Sequence, residues 1–429
     1  MSFRVTRPPA ELVELGRAAL DVARDQMPVL AGIRSEVAGT RPLQAQRVAG
    51  CVHLTKETGV LVELLVAAGA EVAWTGGDEV STQDEVAAAL AAEGVEVFGR
   101  RGMTTAEVEQ AVTETLGAFQ DGPTLLVDNG TRLIEAALSA PGTVPRLVAA
   151  TEKTTEGCRR VREWAEQGRL RFPVVNVNDL VTKWEVDNTY GTGQSTVDGI
   201  VRATGVLLAG KRFVVVGFGQ VGRGVALRAR GMGARVVVCC RSARTAVRAR
   251  LAGFPVLPPH EALVGADIVC TATGYPDVLT GEHLDALPGG AVLCNTGHSV
   301  TEINLADLAE RTRETKRIRP HVQRHILHDG RHVDLLSGGG LINLDAAEGN
   351  PSEVMDITFA NQALAVLDLA AGADRLAPGV HEVPAERDED VARRKLAAMA
   401  VRIDAPTPEQ LEVLTSGGHP GSLGERSGP

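Results

Sequence analysis

Arg212-Phe213-Val214-Val215-Val216-Gly217-Phe218-Gly219-Gln220-Val221-Gly222-Arg223-Gly224 is an apolar run that ends in glycines spaced G-x-G-x-x-G, and Val225-Ala226-Leu227 continues it in helical fashion. The stretch reads as strand, tight turn and helix start. Glycine permits the turn, lets the backbone approach a pyrophosphate and lets helix pack on strand, while the helix N-terminus offers N–H donors and partial positive charge. The competing reading is a purely structural glycine turn, but the strand before and the helix after favour a dinucleotide site.

Outward from this turn, 429 residues exceed one ordinary core and predict at least two domains. The formal charge is −10, and with Lys and Arg taken as scattered, neither nucleic acid nor a membrane surface is an expected partner. The N-terminus Met1-Ser2-Phe3-Arg4 leads into an amphipathic segment rather than a signal peptide, and no stretch reads as a bilayer span, so a cytoplasmic protein is expected. Cys51, Cys158, Cys239, Cys240, Cys270 and Cys294 form no C-x-x-C pair and sit mostly in apolar, strand-like runs. They read as buried thiols, with no metal site.

Leu12, Leu15, Ala19 and Val22 recur at helical spacing and predict an opening helix with this inner face, ending near Pro28. Strand-like Val48–Leu54, Glu71–Trp74, Val95–Phe98 and Thr124–Val127 then alternate with helix-like Glu57–Val66, Asp84–Ala92 and Thr105–Leu116. Such alternation predicts a parallel, doubly wound sheet with ligands beyond the carboxyl ends of its strands. Polar residues cluster there: His53, Thr55 and Glu57 after the first run, Ser81 to Asp84 after the second, Asp128 at the fourth. Singly these are a structural histidine, a helix cap or a turn residue; together they predict a site. Farther on, Lys183 and Asp187 stand four apart, as in an ordinary helix ion pair worth about a few tenths of a kcal/mol.

The series Cys51–Thr58, Trp74–Asp84, Asn176–Tyr190, Gly217–Gly224, Cys294-Asn295-Thr296-Gly297-His298 and Gly340-Leu341-Ile342-Asn343-Leu344 resembles the S-adenosylhomocysteine hydrolase family, from Leu12 to about Leu414. The resemblance implies an α/β fold of two doubly wound parallel-sheet domains. Residues 1–180 and 350–385 would form a discontinuous substrate domain, 188–345 a Rossmann cofactor domain, and 386–429 a C-terminal oligomerisation tail whose last ~15 residues, rich in Gly, Ser and Pro, read as flexible. It also implies a homo-oligomer, dimer or tetramer, and a small nucleoside substrate that undergoes transient oxidation at ribose C3′, C4′ proton abstraction and reversible elimination and hydration at C5′. Oxidation beside C4′ makes that proton acidic enough for modest bases. By position, Lys183 matches the base at the 3′-hydroxyl, Asp187 and Asn188 its partners, and His53 and Asp128 the pair at C4′ and the leaving group or water. Thr55 and Glu57 match readers of the base, and His298 and Asn343 lie beside the nicotinamide. Thr154, Thr155, Asn188, Gly217, Gly219, Gln220, Val221, Gly222, Cys240, Thr273, Thr296 and Gly297 complete the expected cofactor set.

Departures from the family's pattern carry their own expectations. About 20 residues past the glycines, where an NAD enzyme places an acid, the chain reads Cys239-Cys240-Arg241-Ser242-Ala243-Arg244, a set suited to the 2′-phosphate of NADP in preference to NAD. Lys153 stands where the family has a glutamate near the ribose, Thr192 and Thr131 replace a cysteine and an acid, and Glu348 and Asn350 replace methionine and histidine over the base and 5′ end. Lys153 either faces the ribose, lowering the pKa of Lys183, or turns to solvent and leaves its place to Glu152. The tail Ser416–Gly424 lacks the family's closing lysine and tyrosine. An adenosylhomocysteinase-like enzyme using NADP is therefore expected; a nucleoside 3′-epimerase or 3′-dehydrogenase, or a cofactor-sensing regulator, is the alternative.

Overall fold

A computed structural model describes residues 2–297, 301–408 and 410. Its first sheet comprises β1 (Arg47–Cys51), β2 (Glu71–Thr75), β3 (Glu96–Phe98), β4 (Leu125–Asp128), β5 (Ala149–Glu152), β6 (Pro173–Asn176) and, from far along the chain, β14 (Gly379–Glu382). The order is β14-β6-β5-β4-β1-β2-β3, every neighbour parallel. The second sheet comprises β7 (Arg212–Val216), β8 (Arg235–Cys239), β9 (Ile268–Thr271), β10 (Ala291–Asn295), β11 (Thr312–Arg319), β12 (Val322–Leu327) and β13 (His332–Leu336), in the order β11-β12-β13-β10-β9-β7-β8. This sheet is mixed. β11, β12 and β13 pair antiparallel, the last two through a tight turn in which Gly330 takes φ +89°, so an antiparallel ribbon extends the parallel core.

Chain direction across the sheet reverses between β1 and β4 in the first sheet and between β7 and β9 in the second. These switch points open crevices at the strand carboxyl ends. Val48, Val72, Val97 and Val127 are buried on one face of the first sheet, and Ala49, Ala73, Leu126 and Ala150 on the other. Such two-sided burial explains why these runs read as continuously apolar rather than alternating.

The opening helix is Ala10–Asp25, with Pro28 starting a second helix, Pro28–Ala38. Its inner face is shifted from the predicted one: Val13, Gly16, Leu20 and Ala23 are buried, whereas Leu15 and Val22 are 56% and 51% exposed. The cause is close helix packing, since a Cβ on Gly16 would lie 1.9 Å from the Glu85 carbonyl oxygen. Helix Ser352–Gly372 also corrects the expectation about spans: it is long and apolar enough to cross a bilayer. Here Met355, Phe359, Ala363 and Val366 instead fill the core beneath the first sheet.

Candidate active site

The first switch point gathers the strand-end residues. His53 leaves β1 just before helix Lys56–Ala67, for which Thr55 is the N-cap residue. His53 Nδ1 meets Asp78 and, at 2.9 Å, the hydroxyl of Ser81; its Nε2 faces Asn129 Nδ2 at 3.5 Å. Asp128 ends β4 beside Cys51 of β1 and Glu152 of β5, and is fully buried. The backbone N–H groups of Asn129 and Ile134 donate to its two oxygens at 2.9 and 2.8 Å. Burial, and then the charge of Glu152, still raise its pKa well above the ordinary value. Glu152 itself receives the N–H groups of Gly130, Thr131 and Thr154 and the hydroxyl of Thr154. Its oxygens thus fix two loops, and Glu152 does not take over from Lys153.

Lys153 is only 7% exposed, which overturns the solvent-facing alternative. Its ammonium lies 5.0 Å from the Phe359 ring centroid. Burial lowers its pKa to about 8; Asp187 opposes that effect and Lys183 adds to it. Lys183 Nζ donates to Asn178 Oδ1 at 3.0 Å and lies 3.8 Å from Asp187 Oδ2, with both side chains buried. This is no surface ion pair. Asp187 also accepts from Asn350 and from the Thr358 hydroxyl. It sits in a wide π turn, Val186–Thr192, a local expansion of the helix that aims side chains and recurs at functional sites. Asn188, in the same turn, is half-buried.

Between the two sheets, Glu57 is buried and receives the Ser352 hydroxyl at 2.7 Å. Lys56 and Arg202 both pair with the exposed Glu348. Glu57, Glu348 and Asn350 line one cleft of about 250 Å³.

The second switch point carries the glycine turn. Gly217 has φ +106°, and a Cβ on Gly222 would lie 2.1 Å from the Gly217 carbonyl oxygen. Gly219 meets nothing within 4 Å, so the backbone is open toward the N-terminus of helix Gln220–Gly231, with Gln220 and Val221 half-buried. The residues present therefore fit a dinucleotide: turn, open cradle and helix end stand where a pyrophosphate needs them. Gln220 accepts the Thr189 hydroxyl and links this turn to the π turn. Across the crevice, Thr296 bonds Thr196 at 2.5 Å and donates to Asn343 at 3.5 Å. Thr273 and Gly274 are fixed by buried Glu302, against which Gly297 packs. Beyond β8, Cys240 is half-buried while Arg241, Ser242 and Arg244 are exposed, Ser242 capping the following helix. Thr154 caps helix Thr155–Glu166, and the Thr155 hydroxyl accepts from Asn178. His298 lies outside the described residues. Sequence reasoning missed Asp78, Asn129, Asn178, Thr358 and Glu302; the Gly-Gly-Asp of residues 76–78 carried only a turn signal.

Fold and site together define a two-domain α/β protein with a dinucleotide crevice in one sheet and titratable groups at the switch point of the other. Sequence models described as "S-adenosyl-L-homocysteine hydrolase" and its "NAD binding domain" match residues 8–142 and 188–349. An "Adenosylhomocysteinase" of Aeropyrum pernix is 47% identical, covering 92% of this chain and 94% of its own. An "S-inosyl-L-homocysteine hydrolase" of Methanopyrus kandleri is 44% identical, with 94% and 95% covered. The chain belongs to the S-adenosyl-L-homocysteine hydrolase family, and is an enzyme with a nicotinamide-dinucleotide site. Among solved structures, a dipicolinate synthase chain from Bacillus halodurans shares the fold, at TM-score 0.50 and 14% identity, covering 77% of this chain and all of that one.

Proposed function

We propose that this enzyme cleaves and re-forms the thioether of a 5′-homocysteinyl nucleoside through transient oxidation at ribose C3′. The observation that carries the reading is the buried cluster of Lys183, Asp187 and Lys153, between the glycine turn of the second sheet and His53 and Asp128 of the first. We take the first sheet with its returning segment as the part that holds the nucleoside. A nicotinamide dinucleotide held at the turn of Gly217, Gly219 and Gly222 would supply a reversible hydride acceptor for C3′. Lys183, oriented by Asn178 and Asp187, takes the 3′-hydroxyl proton; Asn188 and Asn350 support that charge. His53 and Asp128 serve the C4′ and C5′ positions. Burial by both domains keeps water from the ketone. Thr55 and Glu57 face the base. A carboxylate accepts equally from the amino group of adenine or the ring N–H of hypoxanthine, and the named relatives include both substrate types.

NADP is the preferred dinucleotide in this reading, supported by Arg241 and Arg244 and by the missing acid after β8. The cytoplasm, where such cofactors are kept, is its place. A homo-oligomer is proposed too, since Met399, Val401 and Ile403 expose an apolar strip near the end of the described chain.

Product analysis in deuterated water tests the reaction, with adenosylhomocysteine and inosylhomocysteine as substrates. Thiol release with deuterium at C4′ is expected; an inverted sugar with no thiol released would assign the epimerase instead. Calorimetry on protein stripped of cofactor should show NADP binding tighter than NAD. Arg241→Ala and Arg244→Ala should each weaken NADP by about 1.5–3 kcal/mol and NAD far less.

A further inference from the structure

His53 is gripped from behind. Gly76 and Gly77 fold the loop after β2 back over the end of β1: Gly77 has φ +77°, and a Cβ there would lie 2.7 Å from Cys51 Sγ. The loop thereby sets Asp78 against the imidazole. The Asp78 carboxylate is itself fixed, for its Oδ1 accepts the backbone N–H of Val80 at 2.8 Å and of Ser81 at 2.7 Å, and its Oδ2 accepts the Ser81 hydroxyl at 2.5 Å. Burial would raise its pKa, but the facing His53 ring and these bonds outweigh that and hold the carboxyl below the usual range. On the other side of the ring, Nε2 faces the Asn129 amide N–H. A lone pair on Nε2 and a proton on Nδ1, directed at Asp78, satisfy both contacts. The charged groups around this pocket are Asp78, Asp128, Arg132 and Glu152, all of which act on the neighbouring Cys51 thiol. Among the described residues, only Asp78 forms an ion pair with the ring.

We propose that Asp78 is the positioning residue of an Asp–His pair, fixing the tautomer and orientation of His53 so that Nε2 exchanges a proton with the C5′ group. The idea rests on the functional reading above. His53 enters this step as the imidazolium, its Nε2 proton taken up from water. As the C5′–S bond breaks, its electron pair leaves with sulfur, and Nε2 gives that sulfur its proton and regains its lone pair. When water adds to C5′, Nε2 takes the proton that its oxygen releases. The Nδ1 proton stays on the ring throughout and Asp78 remains a carboxylate, offsetting the imidazolium. Removing such an orienting carboxylate elsewhere costs roughly 10⁴-fold in turnover.

Asp78→Asn tests this in the full-length enzyme by two independent readouts. First, the His53 ring is followed by NMR as pH is varied, its signal identified by loss in His53→Gln. In Asp78→Asn, Oδ1 would keep the N–H groups of Val80 and Ser81 and leave the amide NH₂ facing Nδ1, so the ring nitrogen shifts should change from the Nδ1–H to the Nε2–H tautomer; an unchanged tautomer overturns the proposal. Second, with adenosylhomocysteine or inosylhomocysteine, cofactor reduction at the nicotinamide absorbance should persist while thiol release falls roughly 10²–10⁴-fold with little change in KM. Asp78→Glu should recover part of the rate. Equal loss of both steps, or no added loss of rate in Asp78→Asn, overturns the role in turnover. If wild-type enzyme releases no thiol at all, the functional reading fails while the NMR arm still decides the pairing.

Discussion

Lys153 shows how one side chain ties the site to stability. Its ordinary pKa of 10.5 falls to about 8 because it is buried without a carboxylate in contact. The folded state thus holds the proton less tightly than the unfolded chain. The resulting penalty is absent above about pH 10.5, grows as pH falls, and is full below about pH 8, where it amounts to roughly 3 kcal/mol. Lys153→Met in ligand-free protein should therefore raise unfolding free energy by roughly 2–3 kcal/mol at pH 7 and by much less at pH 10.5. Urea titrations at the two pH values check it; an equal gain at both would refute this origin. At this scale the sequence was legible only in part. Lys183 and Asp187 read as an ordinary helix ion pair and were singled out only by the family resemblance. His53 and Asp128 stood out because chemistry-bearing residues followed apolar runs. Asp78 did not, because a Gly-Gly-Asp loop reads as a turn and its carboxylate gains meaning only when the fold brings it to His53.

The contact between helix Gln220–Gly231 and the π turn Val186–Thr192 joins the glycine turn to the segment that carries Asp187. A Cβ on Gly224 would lie 2.1 Å from the Thr189 carbonyl oxygen, and one on Gly193 would lie 2.5 Å from the Gly224 carbonyl carbon. Gly224→Ala should push the helix away from the turn that carries Asp187, at a cost of about 1–3 kcal/mol. Gly231→Ala, on the same helix with nothing within 4 Å, should be neutral or stabilise by up to ~1 kcal/mol. Thermal melts of the two variants make the comparison, and similar melting temperatures would show that the contact relaxes freely. The alternation of strands and helices was readable because buried parallel strands are apolar throughout. The inner face of the first helix was not: a close crossing needs Gly16 and Ala23, whose hydrophobic signal is weaker than that of the exposed Leu15 and Val22.

Charge is unevenly spread over the whole molecule. Between Asp198 and Glu261 there is no Asp or Glu, yet eleven Lys and Arg: Arg202, Lys211, Arg212, Arg223, Arg228, Arg230, Arg235, Arg241, Arg244, Arg248 and Arg250. The reading of basic residues as scattered does not hold for this stretch, which supplies β7, β8 and the glycine turn. A local positive field steers anions even when net charge is −10. The association rate of NADP with stripped enzyme should therefore fall at least about tenfold between ~20 and ~500 mM salt. Stopped-flow fluorescence measures it; a rate that rises with salt would mean that net charge, not the local field, governs encounter.

The placement of β14 and helix Ser352–Gly372 also governs how the molecule comes into being. The first sheet lacks its edge strand and the helix beneath it until some 200 residues after β6 have been made, an interval of about 10–40 s at ~5–20 residues per second. All seven strands of the second sheet are synthesised within that interval. The dinucleotide module is thus an insert that can mature while its host waits open, with the β6 edge unpaired and the floor of its core missing. On the proposed reading, a ribosome that stops before residue 352 would release a chain with its dinucleotide turn complete but its first sheet unfinished, so truncated products would be expected to sequester dinucleotide without turning anything over.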